Sequence, residues 1–197
     1  MKTIKEQYKK EVIPKMEKEL GYKNVMAIPK IEKVTLNVGL GKFLANKEYT
    51  KIVENTLTKI SGQKPIFTKA KKSISAFKIR EGMIVGAKVT IRGKKMNDFL
   101  TKLVHITFPR IKDFHGIDAL NKHIDREGNF SFGFKEHTIF SEIKTDELEH
   151  VHGLELTITT TSKNRTETYF LLKYLGFPFI VDENLENKLK DQIKFDK

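Results

Sequence analysis

The chain has 197 residues, and 37 Lys and Arg against 25 Asp and Glu give a formal net charge of +12. Its 39% hydrophobic residues can fill an ordinary core, and no stretch approaches the ~20 apolar residues of a membrane span. The absence of cysteine excludes disulfides, thiolate nucleophiles and cysteine-based metal sites. The first 20 residues carry four glutamates and no apolar signal segment, so we expect a cytoplasmic protein.

Helical and strand patterns follow one another along the chain. Apolar residues four apart from Ile4 to Leu20 predict an amphipathic helix, which Pro14 kinks or divides into two. The segment 31–39 alternates between apolar and polar residues, as a half-buried strand does. A helix capped by Asn46 and ended by Gly62 comes next, followed by a short strand at 65–70, a loop at 71–82 and a strand at 84–92. The second half predicts a helix at 95–106, an irregular segment at 114–133, and strands at 130–134 and 154–161. The last predicted element in this region is a helix that the capping box from Asn164 to Glu167 begins and Gly176 ends. Because the strands alternate, we predict one α+β domain whose helices cover one sheet face only.

The basic residues are concentrated in the first half of the chain. Residues 1–100 contain 23 basic and 9 acidic residues, while the rest contains 14 basic and 16 acidic ones. Residues 59–95 alone hold eleven basic residues and one acid, Glu81. Glycine and proline interrupt this stretch, which disfavours a membrane-bound amphipathic helix. A basic run is often only a solvated face, but this density favours RNA or DNA.

The alternating strands offer a concrete binding surface, here called the open face. If the strands at 31–39 and 84–92 share one sheet, their polar side chains share one side of it. Cations mixed with short hydroxyl and amide groups suit contacts to RNA phosphates and 2′-hydroxyls, although a plain solvated face has similar residues. The loop at 71–82 favours RNA, since its cations surround Phe77, which either stacks on a base or packs with Ile79 in a small satellite core. The open-face residues are Lys33, Thr35, Asn37, Lys88, Thr90 and Arg92.

Catalytic motifs are poorly supported. The segment from Gly39 to Lys42 looks like a phosphate-binding loop but lacks the earlier glycine and the following Ser or Thr, so a strand-ending turn is favoured. The pair His150 and His152 lacks further metal ligands and is more typical of a surface. We therefore predict no enzyme, cofactor, metal site or small-molecule substrate. A nucleotide enzyme acting through Gly39 to Lys42, or a general RNA-binding or RNA-chaperone protein, stays open as an alternative.

Six segments of the chain resemble the bacterial type of large-subunit ribosomal protein five, a family that binds 5S ribosomal RNA. They are VMAIPKIEKVTLNVGLG, ISGQKPIFTKAKKSISAFKIREG, GAKVTIRG, FPRIKDFHG, GNFSFGFKEHTIF and GLELTITTTSKN. The resemblance implies a mostly antiparallel sheet backed by helices, seated with large-subunit rRNA in the central protuberance. It covers residues 1–179 and leaves 180–197 as an extension, where Leu185, Leu189 and Ile193 lie four apart after Asp182 and predict an extra C-terminal helix.

The resemblance also assigns roles to residues of this chain. It implies 5S rRNA contacts at Asn37, Gln63, Lys64, Thr68, Lys69, Thr90 and Arg92, which overlap the open face. The loop at 73–82 and its flank would reach P-site transfer RNA through Lys72, Ser73, Phe77, Lys78 and Arg80. An intersubunit bridge to small-subunit protein thirteen would use Arg110, Lys112, His115, Glu136, Glu142, Asp146, Glu147 and Glu149, and a basic partner suits the acids.

Three features depart from the family pattern. Residues 81–86 lack the usual proline, so the turn that closes the loop is expected to differ. His115 and His152 replace the usual arginines, which predicts weaker or pH-dependent contacts there. The extension at 180–197 has no assigned role.

Overall fold

The structure, a computed structural model, describes residues 3–41, 47–118, 122–143 and 151–180. The predicted cap at Asn46 and the predicted C-terminal helix lie outside these residues. The helices are α1 (Ile4–Gln7), α2 (Ile13–Leu20), α3 (Lys47–Ser61), α4 (Gly93–Lys102) and α5 (Arg165–Tyr174), and the strands are β1 (Ile31–Gly39), β2 (Ile66–Lys69), β3 (Ile84–Ile91), β4 (Phe130–Phe134) and β5 (Leu154–Thr160).

The first helix is divided at the proline, as predicted. A π-helical turn, Tyr8–Val12, separates α1 from α2, and Pro14 lies in the first turn of α2. Proline has no N–H to donate to the preceding turn, so the helix changes its hydrogen-bonding pattern there. Gly21, with φ of 69°, ends α2 in the left-handed conformation.

The strands form one five-stranded antiparallel sheet in the order β2-β3-β1-β5-β4. In β1 the buried residues are Val34, Leu36 and Val38, and the residues between them are partly exposed. One face is therefore covered and the other is open, which confirms the α+β fold class. The Leu40 N–H donates to the Val85 carbonyl at 2.9 Å, so the chain after Gly39 continues strand pairing instead of presenting that N–H to an anion.

The chain divides into two compact units whose boundaries fall inside β1, β4 and β5 and at the end of β3. The sheet unit comprises the described parts of Thr35–Ile91 and Phe132–Leu156. In it α3 packs against β3, and α3 buries Val53 and Leu57 completely. The helical unit comprises the described parts of Met1–Val34, Arg92–Ser131 and Thr157–Lys197. In it α1 packs on α4, and both α2 and the π-helical turn pack on α5.

Two predicted helix ends differ in detail from the structure. The helix expected at 95–106 is α4 followed by a second π-helical turn, Leu103–Thr107, and a 3-10 turn, Phe108–Arg110. The capping box before α5 is wrong as drawn, because the Asn164 side chain makes no capping bond. Glu167 instead accepts a hydrogen bond from the Lys163 N–H at 3.0 Å, one residue earlier than the box requires.

Candidate nucleic-acid interface

Within the sheet unit, the open face carries short polar side chains and one lysine. Thr35 and Asn37 of β1 are partly exposed, and Lys88 and Thr90 of β3 are exposed. The Asn37 amide Nδ2 donates to Glu155 Oε2 of β5 at 3.4 Å. The strand pattern alone did not place this carboxylate on the open face, although Glu155 alternates with buried leucines in β5.

Strand β2 adds a second row of residues to this face. β2 pairs antiparallel with β3, so that Ile66 lies opposite Lys88 and Thr68 lies opposite Gly86. A Cβ atom on Gly86 would lie 2.8 Å from Thr68 Oγ1 and 3.1 Å from the Val38 carbonyl. Glycine is therefore required for Thr68 to reach over the strand, and Thr68 joins the open face as the resemblance implied.

Arg92 and Lys33 lie in the helical unit. Arg92 Nη1 pairs with Glu32 Oε1 at 3.1 Å, and the two side chains are 57% and 47% exposed. This exposed ion pair contributes little to the free energy of unfolding. It does, however, pair the Arg92 guanidinium with a carboxylate of the same chain. Glu32 is a second acid that the strand pattern alone did not place beside a predicted RNA contact.

Gln63 and Lys64 precede β2, and both contact other residues of the sheet unit. The Gln63 side-chain amide Nε2 donates to the Thr90 carbonyl at 2.7 Å, which anchors the turn after α3 to the end of β3. Lys64 Nζ lies 3.4 Å from Glu54 Oε1 on α3 while its side chain stays 80% exposed. The Gln63 side chain therefore stabilises the turn, whereas the Lys64 ammonium stays at the surface.

The loop between β2 and β3 is a hydrogen-bonded hairpin extension. The Ala70 N–H donates to the Met83 carbonyl at 2.8 Å, and Ile74 and Ile79 exchange hydrogen bonds of 2.9 and 3.1 Å. A 3-10 turn, Ser75–Phe77, and a left-handed Lys78 with φ of 54° close its tip. At the loop's base, the Glu81 N–H donates to Ser73 Oγ at 3.0 Å, and Gly82 adopts a φ of 82° where the family's usual proline is missing.

The tip of this loop presents an aromatic ring and several cations. Phe77 is 68% exposed, so the satellite-core interpretation is wrong for this residue. Lys72, Lys78 and Arg80 are exposed as well. The arrangement can place a ring on a base or ribose and charges on the neighbouring phosphates.

The predicted bridge residues fall into both units. Arg110, Lys112 and His115 are exposed in the helical unit. In the sheet unit, Glu136 is exposed and accepts a hydrogen bond from Thr138 Oγ1 at 3.2 Å, and Glu142 accepts one from Ser141 Oγ at 3.2 Å. Asp146, Glu147 and Glu149 lie outside the described residues.

His152 is buried, so its interpretation as a surface residue is wrong. Its ring stacks on His137 with centroids 4.0 Å apart, and the two side chains are 6% and 1% exposed. The His152 N–H donates to His137 Nδ1 at 3.2 Å, and Tyr49 packs edge-on against the His152 ring. His152 is therefore a core residue that packs on His137, and it does not provide a surface cation where the family usually has arginine. His150 lies outside the described residues.

The described residues offer neither a metal site nor a helix that could span a membrane. They contain no group of three or more His, Asp or Glu side chains placed to hold a metal ion. Among the helices described, none is both long and apolar enough to cross a bilayer.

The fold and the open face define a basic α+β protein built to present a sheet surface. Residues 24–80 match the family described as ribosomal protein L5, and residues 84–179 match the model of the C-terminus of this ribosomal family. The chain is 48% identical over 179 residues to a protein of Halothermothrix orenii, covering 91% of this chain and 99% of the relative. It is 49% identical over 179 residues to a protein of Desulforapulum autotrophicum, with the same coverage, and 47% identical over 176 residues to one of Streptococcus pyogenes, covering 89% of this chain and 97% of the relative. All three relatives are named large ribosomal subunit protein uL5.

The chain therefore belongs to the ribosomal protein L5 family, of the bacterial type. Membership confirms the resemblance found in the sequence. It also confirms the prediction of a structural protein that is not an enzyme.

Proposed function

We propose that this protein is a structural component of the large ribosomal subunit in the cytoplasm, where its open face binds 5S rRNA and attaches it to large-subunit rRNA in the central protuberance. Membership of the L5 family supports the ribosomal assignment. The observation that carries the RNA assignment is the row of polar side chains on β1 and β3, partly exposed on β1 and exposed on β3, in the basic half of the chain. Cations there neutralise phosphates, while Asn37 and Thr90 bond ribose hydroxyls or base edges.

The hairpin loop contacts P-site transfer RNA in this proposal. Its support is the exposed ring of Phe77 at a tip that the Ile74–Ile79 hydrogen bonds hold in shape. Lys72, Lys78 and Arg80 supply positive charge along the same loop, and Ser73 fixes its base.

An intersubunit contact with small-subunit protein thirteen completes the proposal. Glu136 and Glu142 offer acids to a basic partner, and Arg110, Lys112 and His115 offer exposed donors in the helical unit. Rim charges of this kind set specificity and association rate more than affinity, which suits a contact that re-forms during translation.

Filter binding of 5S rRNA by the full chain at several salt concentrations tests the main assignment. Each neutralised phosphate contributes roughly 0.7 to 0.9 to the slope of log affinity against log salt. Lys88→Ala should lower that slope by about one such contact. Thr90→Ala and Asn37→Ala should weaken binding but leave the slope unchanged. Thr166→Ala in α5 is a matched control, and circular dichroism checks that every variant folds.

Two outcomes would contradict this assignment. Unchanged affinity in both Thr90→Ala and Asn37→Ala would remove the open face as the binding site. Competition by bulk transfer RNA as strong as that by 5S rRNA would favour the general RNA-binding alternative.

A further inference from the structure

Ile66 is an apolar side chain in the polar surface just described. It is 67% exposed in β2, where it lies directly opposite Lys88 of β3. Residues directly opposite each other in a sheet project from the same face. A branched aliphatic group therefore stands on the open face beside a lysine that we assign to RNA.

The surroundings of Ile66 are flat and partly apolar. On the same face, the next cross-strand pair is Thr68 with Gly86, and because Gly86 has no side chain this pair presents only the small threonine. A register shift then places Ile84, which is 37% exposed, opposite Lys69. The exposed Ile66 and Ile84 thus lie on either side of the Thr68–Gly86 pair, whose side chains are small, and a flat ligand could contact both isoleucines.

The charges around Ile66 indicate what covers it. Lys64, Lys69 and Lys88 are all exposed, and they lie within three residues of Ile66 or directly across from it. A ligand that fits must be anionic at its edges and apolar in its middle. A nucleotide meets both conditions, since phosphates flank the faces of the ribose and base. A lipid surface fits less well, because the patch lies on a sheet and not on an amphipathic helix.

We infer that Ile66 is an RNA-contact residue that packs against the ribose or base face of an unstacked nucleotide held between Lys64, Lys69 and Lys88. The inference rests on the proposed function and deepens it, because it adds an apolar contact to a face otherwise made of hydrogen-bonding groups. Such a contact recognises an exposed nucleotide face, which a regular stacked duplex hides. Ile66 therefore contributes to selection of a particular RNA shape.

A substitution series at Ile66 tests the inference with the full chain and 5S rRNA. Burial of apolar area predicts a loss of affinity of about twofold for Ile66→Val and about five- to tenfold for Ile66→Thr. Both residues keep the branched shape that strands favour, so the melting temperature should not change. The salt slope should also stay constant, because no phosphate contact is removed. Val25→Thr makes the same kind of change at a 48% exposed site in the helical unit and should leave affinity intact.

The outcomes separate this inference from the proposed function. If Ile66→Thr binds like the parent while Lys88→Ala and Thr90→Ala bind weakly, the inference fails and the open-face assignment stands. If Ile66→Thr lowers the salt slope as Lys88→Ala does, the loss acts through the lysine, and the inference is again overturned. If Ile66→Thr spares 5S rRNA binding but abolishes binding to subunit cores lacking 5S rRNA, the patch contacts another ribosomal component and the inference is overturned as well. If none of these variants changes 5S rRNA affinity, the proposed function itself fails.

Discussion

Replacing Glu32 with glutamine should tighten RNA binding. Glu32 holds the Arg92 guanidinium at 3.1 Å, yet the proposed function requires Arg92 to bind a phosphate. Binding must then break this ion pair or leave a carboxylate beside the incoming phosphate. Glutamine removes the charge, keeps a hydrogen-bond acceptor of the same size, and releases the arginine for RNA.

The expected magnitude follows from the exposure of the pair. Two unit charges about 4 Å apart in water interact by roughly 1 kcal/mol, and exposed ion pairs contribute about 0.2–1 kcal/mol after entropy and screening. Since both side chains are about half exposed, we take the lower part of this range. Glu32→Gln should therefore raise 5S rRNA affinity about two- to threefold and change the free energy of unfolding by no more than about 0.5 kcal/mol.

Filter binding from low to high salt distinguishes this effect from a general change in charge. The gain should shrink as the Debye length falls from about 10 Å at 0.1 M to about 3 Å at 1 M salt. Glu17→Gln, on the exposed surface of α2, alters the net charge equally and serves as the control. A gain no larger than that of Glu17→Gln, or weaker binding, would refute the reasoning and make Glu32 a group that positions Arg92 for RNA.

Three further predictions concern stability and the loop. Gly128→Ala should destabilise the fold by about 2–4 kcal/mol, measured by urea unfolding. The reason is that Gly128 has a φ of 79° and that the new Cβ would meet Ser162 and lie 2.7 Å from Thr168 Oγ1. A loss below about 1 kcal/mol would contradict this packing. Phe77→Ala should leave stability within about 0.5 kcal/mol but weaken transfer RNA binding to reconstituted subunits several-fold, and unchanged binding would exclude stacking. Burial, with a smaller effect of Glu167, raises the pKa of Tyr22 above its ordinary 10.0, so its contribution to stability is full below pH 10 and is lost as pH rises further. Tyr22→Phe should therefore flatten the fall in melting temperature as the pH rises above about 10, and an equally steep fall would show that Tyr22 does not contribute.

The strand assignments were predictable because they depend on a local pattern. In β1, alternation alone identified Val34, Leu36 and Val38 as buried, and the structure confirms them. The acid on the open face, Glu155, was not predictable in this way. Glu155 approaches Asn37 only because β5 pairs beside β1, and that strand order is set by the whole fold.

Ile66 and His152 show the same dependence on distant partners. The exposure of Ile66 follows from its register with Lys88, and a short strand of four residues gave no reliable alternation to predict it. His152 is buried because its ring stacks on His137, fifteen residues earlier in the chain. A local pattern cannot reveal either contact, since each requires the position of a second segment.

The β3 part of the open face and the loop tip belong to one continuous hairpin. Strands β2 and β3 carry Thr68, Lys88 and Thr90, and their pairing extends through the Ala70–Met83 bond to the Ile74–Ile79 bridge. Because backbone hydrogen bonds run from the sheet to the tip, the orientation of Phe77 is linked to that of the residues proposed to bind 5S rRNA. If the proposed function holds, RNA bound on the open face restricts the directions in which the tip points, which favours a defined approach to transfer RNA over independent motion of the loop.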